Sequence, residues 1–119
     1  MEKFTTGSQR DTREGKGRYD LIPWEVISLL SKRFESGAQL YGDRNWEKGQ
    51  PLGRYLDSSL RHLFQFLEGK TDEDHHIAAL WNLIAFIWTL EKIKDKSLPL
   101  TLDDICLLEK QKQKSSEPL

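Results

Sequence analysis

The stretch TDEDHHIAALWNLIAFIWTLE, residues 71–91, decides the fold. From Ile77 to Leu90 its only polar side chains are Asn82 and Thr89. A helix apolar on nearly every side is a central one, covered by its neighbours. His75, Ala78 or Ala79, Asn82 and Phe86 recur at helical spacing, so His75 and Asn82 share one stripe, two turns apart, with a small residue between them. That arrangement leaves a shallow place for another polar group or a ligand.

A chain of 119 residues is long enough for one domain with one core. Its 18 basic and 19 acidic side chains nearly cancel, to a formal charge of −1, so no global field draws in nucleic acid or an anionic membrane. Any anion site must be local. The single cysteine, Cys106, permits no internal disulfide, and MEKFTTGSQR has neither the apolar core of a signal peptide nor the look of a transit peptide. A reducing cytoplasm is the expected setting. The apolar run is also too short for a bilayer, which takes about 20 residues.

Working outward, a linker precedes Thr71, which reads as an N-cap with Asp72, Glu73 and Asp74 at the positive end of the helix dipole. Upstream, Pro51 opens a helix to about Leu67, with Leu52, Leu56, Ser59 or Leu60, Leu63 and Leu67 as its expected buried side. Asp57 and Arg61 form an i, i+4 pair on the other side, which as a solvated ion pair is worth only a few tenths of a kcal/mol. His62 keeps helical spacing with Tyr55, Ser59 and Phe66 and should face inward or sit on the core boundary. Pro23 begins an earlier helix in which Trp24, Ile27, Leu30, Phe34, Ala38 and Tyr41 recur, ending near Gly42. Between them, YGDRNWEKGQP is a compact turn whose Trp46 is either a lid on the core or a stacking surface for a base, the lid being the commoner use.

Residues 1–22 are polar and glycine-punctuated, readable as a disordered leader or as a basic arm that grips phosphate through exposed N–H groups and guanidinium forks. Downstream, Pro99 breaks the chain, and Thr101-Leu-Asp-Asp opens a short last helix through Leu108 before a solvated tail at 109–119. The expected fold is all-α: a four-helix antiparallel bundle over 23–108 with an irregular N-terminal arm and no strand.

Walker loops, GxGxxG after a strand, CxxC and HExxH are all missing. A zinc site from His62, His75 and His76 ranks low, because adjacent helical residues diverge by about 100°. What remains is Asp57, Arg61 and His62 on one helix facing Asp74, His75 and Asn82 on the next. Oxygen-rich helix faces of that kind hold Mg²⁺, which completes its octahedron with substrate phosphates.

The runs TTGSQRDTREGKGRYDLIP and GAQLYGDRNWEKGQPLGRYLDSSLRHLFQFLEGKTDEDHHIAALWN resemble the phage and prophage family of dATP/dGTP diphosphohydrolase N-terminal domains over about residues 4–94. That family is similar to MazG-like all-α pyrophosphohydrolases, which cut nucleoside triphosphates to monophosphate and pyrophosphate with Mg²⁺ or Mn²⁺. Where those enzymes carry ExxE and ExxD, this chain carries His62-x-x-Gln65 and Ala79-x-x-Asn82. Either the metal site has moved to Asp57, Asp74 and Glu35, or the protein holds a nucleotide without cutting it.

The resemblance implies a cytoplasmic nucleotide diphosphohydrolase for purine (deoxy)nucleoside triphosphates. Its base would stack near Trp46 or Tyr41, beside Asn45 and Arg61. Arg10, Lys16, Arg18 and Lys48 would hold the phosphates; Asp57, Asp74 and Asn82 would ring Mg²⁺ or Mn²⁺. His62 or His75, with Asp57 beside them, would move the proton. The alternative is a non-catalytic phage protein that sequesters a nucleotide or a nucleotide-derived immune signal. In both readings a homo-oligomer, dimer or tetramer, is expected, because one small bundle gives a nucleotide few walls.

Overall fold

Pro23 and Gly42 bracket the first helix as their chemistry requires. Pro23 has no N–H to leave unpaired at a helix start, and Gly42 adopts a φ of +93° while its N–H bonds the Ala38 carbonyl at 2.8 Å. The structure, a computed structural model, describes residues 1–116 and places four helices: α1 (Trp24–Tyr41), α2 (Leu52–Leu67), α3 (His75–Lys94) and α4 (Leu107–Ser116). The fold is all-α, a four-helix bundle, with one minimal antiparallel ladder of β1 (Glu2–Lys3) and β2 (Gln9–Arg10) in the N-terminal arm. Among the described residues no helix is long and apolar enough to cross a membrane.

The antiparallel pair α2 and α3 is the centre. Ala78, Ala79 and Ala85 are buried on α3, and these small side chains let the helices approach closely enough for Ser59 Oγ to donate to the Ala79 carbonyl at 2.8 Å. At one end of the pair, Leu52, Leu90 and Ile93 form a cluster closed over by Leu98, Leu102, Ile105, Leu107 and Leu108. At its flank, Phe34 of α1, Trp46 of the turn, and Trp81 and Trp88 of α3 pack with ring centroids 5.0–6.2 Å apart. Trp46 touches all three partners, so it is a lid on the core.

The downstream segment also braces α2 itself. No side chain near Pro51 caps that helix; instead Asp104 accepts the Gly53 N–H at 2.8 Å. A Cβ at position 53 would lie 3.0 Å from the Asp104 carboxylate, so any larger residue there would require Asp104 to give way. Gly49, at φ +106°, is tighter still: a Cβ would meet Leu102 Cδ1 at 2.8 Å.

The ladder in the arm corrects the expectation of no strand, and three further expectations change. The last helix begins at Leu107 rather than Thr101 and runs to Ser116, into the segment read as tail, whose residues 117–119 lie outside the described residues; Asp103 accepts the N–H groups of Leu107 and Leu108 at 2.9 Å each. α3 begins at His75 rather than Thr71, since the acidic residues before it are engaged with side chains instead of capping. Finally, α2 carries two apolar stripes. The one turned to α3 holds Leu52, Tyr55 and His62; Leu60, Leu63, Phe64 and Leu67, at i, i+3, i+4 and i+7, lie exposed. The radius of gyration, 19.0 Å, exceeds the roughly 14 Å of a compact chain this long.

Candidate functional site

His62 faces α3 because it continues the Tyr55 and Ser59 stripe, and it meets the first residue of that helix. His62 and His75 are 6% and 2% exposed, and their Nδ1 atoms lie 2.9 Å apart. Two neutral imidazoles at that distance share one N–H···N bond, so one donates and the other accepts. The assignment follows from the next partner. With both rings neutral, Asp72 Oδ1, 2.7 Å from Nε2 of His75, takes the proton on Nε2 and leaves Nδ1 of His75 as the acceptor, so that His62 donates from its Nδ1.

Burial is the first cause holding the His62 imidazole below its usual value, aided by the charges of Arg61 and Arg33 and opposed by Glu73. The ring is therefore neutral near pH 7. Asp72 is held below the usual carboxylate range, chiefly by its hydrogen bond to His75. Glu73 Oε1 stands 4.0 Å from His62 Nδ1 and accepts from Arg33 Nη2 at 2.9 Å, while Asp74 accepts from Arg33 Nη1 at 2.7 Å. A solvent-facing turn of three carboxylates thus becomes an ordered rim around a buried histidine pair.

Arg33 also lines a cavity of about 710 Å³ between α1, the 42–50 turn and Trp81 of α3. That volume falls in the range of small-molecule sites, about 300–1,000 Å³. Tyr41, Asn45 and Trp46 line it, as do Arg44 and Gln50. Trp81, another wall, has a buried Nε1 without a hydrogen-bond partner. The histidine cluster lies outside this cavity, and Arg33 is the residue common to both.

The structure therefore joins some expected residues and separates others. His62 and His75 meet, and Tyr41, Asn45 and Trp46 share one cavity. Arg10 is in β2, Lys16 in a turn of the arm, and Arg18 is committed to Asp20 through two bonds of 2.9 Å; none of them lines that cavity, nor does Lys48. Arg13, Gly15, Gly17 and Arg18 instead border a hollow of about 540 Å³ within the arm. Asp57, Arg61 and Glu35 stand exposed on their helices. Asn82 donates to the Ala78 carbonyl of its own helix at 2.9 Å, and Asp74 is bound to Arg33.

Among the described residues the group of His, Cys, Asp and Glu close enough to hold one ion is His62, Glu73 and His75, without Asp57 or Asp74. Two imidazole nitrogens and one oxygen do not suit Mg²⁺, which takes oxygen ligands. His76 points away and stacks on Phe66 at 4.5 Å. Arg33 and Glu73 are what sequence reasoning missed, since nothing local marks an ion pair spanning 40 residues.

Residues 6–97 match the sequence profile of the family described as dATP/dGTP diphosphohydrolase, N-terminal. No curated protein and no solved structure gives a significant match.

Proposed function

The chain belongs to the dATP/dGTP diphosphohydrolase N-terminal family, and from that membership we propose that it is a nucleotide diphosphohydrolase-like protein acting on purine deoxynucleoside triphosphates. Water would attack the α-phosphorus and break its bridge to the β-phosphate, giving monophosphate and pyrophosphate. The observation that carries this reading is Arg33, a guanidinium at once in the wall of an aromatic-lined cavity and against the carboxylate rim of a buried histidine pair.

In this reading the purine lies against Trp46 and Tyr41, since aromatic faces stack on bases. Arg44 and Arg33 meet the phosphates, for which a planar guanidinium fork is suited. As Arg33 turns toward phosphate it loosens its hold on Glu73 and Asp74, so ligand binding and the state of the rim are coupled. Mg²⁺ can arrive on the triphosphate itself, held by substrate oxygens and water.

A second copy of the chain belongs to the same reading. The stripe of Leu60, Leu63, Phe64 and Leu67 bears no charge, and a like stripe related by a two-fold axis is its simplest complement. Nucleic acid has no part in it.

One observation favours holding without cutting: the Asn82 amide, where a carboxylate would be expected of MazG-like enzymes, is spent on the Ala78 carbonyl. Incubation of the pure protein with each deoxynucleoside triphosphate, with Mg²⁺ or Mn²⁺ and chromatography of the products, separates the two. Monophosphate and pyrophosphate from dATP or dGTP support hydrolysis. Intact nucleotide recovered in complex with the protein refutes hydrolysis and leaves a holder.

A further inference from the structure

We propose that His62, Glu73 and His75 form a binding site for a borderline divalent transition cation, of the Zn²⁺ and Co²⁺ class, that discriminates against Mg²⁺. The inference deepens the reading above by naming what the cluster holds. It is tested without nucleotide, so its failure is separable from an absence of hydrolysis.

Three features point to a cation. First, the donor atoms already converge: one atom from each residue lies within 4.8 Å of the others, with Nδ1 to Nδ1 at 2.9 Å and Nδ1 of His62 to Glu73 at 4.0 Å. Ligand atoms around a tetrahedral ion with Zn–N of about 2.0–2.1 Å stand roughly 3.3 Å apart. The imidazoles need open by only a few tenths of an ångström, and Glu73, a half-exposed side chain on a turn, closes the rest.

Second, the outer partner is in place. Asp72 accepts from Nε2 of His75, the carboxylate–histidine arrangement that fixes the tautomer of a metal ligand and directs its Nδ1 lone pair inward. His62 needs only to move its proton from Nδ1 to Nε2 to present a second lone pair.

Third, the donor set is selective. Imidazole nitrogens suit Zn²⁺, and by the same ligand preference they repel a role for Mg²⁺. The histidines then anchor the ion rather than carry the proton.

The test uses protein freed of metal with a chelator and titrated with Zn²⁺, Co²⁺ and Mg²⁺ by calorimetry. One Zn²⁺ per chain is expected, with visible d–d absorption for Co²⁺ and affinity for Mg²⁺ at least about 100-fold weaker. Glu73→Gln, on the exposed turn, should weaken Zn²⁺ at least about tenfold, and Asp72→Asn about 10- to 100-fold, as loss of an outer partner does. His76→Gln should leave the affinity unchanged. Because His62→Gln or His75→Gln could unfold the core, NMR of the unaltered protein gives the direct readout: Zn²⁺ should shift Nδ1 of His62 and His75 while His76 keeps its titration. Zn²⁺ binding that moves His76 alone, or that survives Glu73→Gln undiminished, or equal affinity for Mg²⁺, would overturn the proposal.

Discussion

Arg33 and Glu73 are forty residues apart in the chain and 2.9 Å apart in space. The same guanidinium takes Asp74 at 2.7 Å and lines the aromatic cavity. Arg33→Gln is expected to lower nucleotide affinity about 10- to 100-fold, the equivalent of one charge-assisted hydrogen bond of about 1.5–3 kcal/mol. Calorimetry with dGTP checks it; unchanged affinity would remove Arg33 from the binding site.

Tyr41 and Trp46 line one cavity but differ in what else they do. Tyr41 is exposed, whereas Trp46 packs on Phe34, Trp81 and Trp88. Tyr41→Ala should weaken nucleotide binding and leave the melting temperature within a degree or two. Trp46→Ala should cost roughly 2–3 kcal/mol of stability, less than the deletion of a fully buried aromatic because the ring is only partly buried. Thermal melts of the two variants side by side distinguish the roles.

Acid should destabilise the metal-free protein in two steps. His62 has a folded-state value below the ordinary 6.5, so the unfolded chain takes up the proton first; stability is full above that pH and falls as pH drops through it toward the folded value. Asp72 is depressed below the ordinary 3.8, and its contribution is lost at still lower pH, as it falls through the folded value. Urea midpoints measured in chelator between pH 7.5 and 3 follow both steps. A midpoint flat from pH 7.5 to 5 would contradict the buried, neutral assignment of His62.

Phe64 is 60% exposed in the middle of the apolar stripe of α2. Phe64→Glu should convert an oligomer into a chain of 13.9 kDa without loss of helix content, read by light scattering and circular dichroism. A monomeric mass for the unaltered protein would refute the second copy.

Much of the fold was legible because helix punctuation is local. Pro23, Gly42 and Pro51 set boundaries within a residue of those observed, and the inward face of His62 followed from its spacing with Tyr55. The errors have physical causes. Leu60, Leu63 and Leu67 satisfy a helical period as well as any buried stripe, and periodicity does not say whether the neighbour belongs to the same chain. Asp72 and Glu73 had a sufficient local explanation in the helix dipole, which concealed their engagement with His75 and Arg33. The arm's cations looked suited to phosphate, but Arg18 spends both ends of its fork on Asp20.

Asp104 and the leucines around it lie beyond residue 97, where the family match ends, yet they close the Leu52 cluster and supply the missing cap of α2. What is shared by descent and what folds as a unit therefore have different borders here. A fragment trimmed to residues 6–97 would keep every residue of the histidine cluster and the cavity while stripping the base from beneath them. Expression boundaries for this family are better drawn from what touches the second helix than from the extent of sequence likeness.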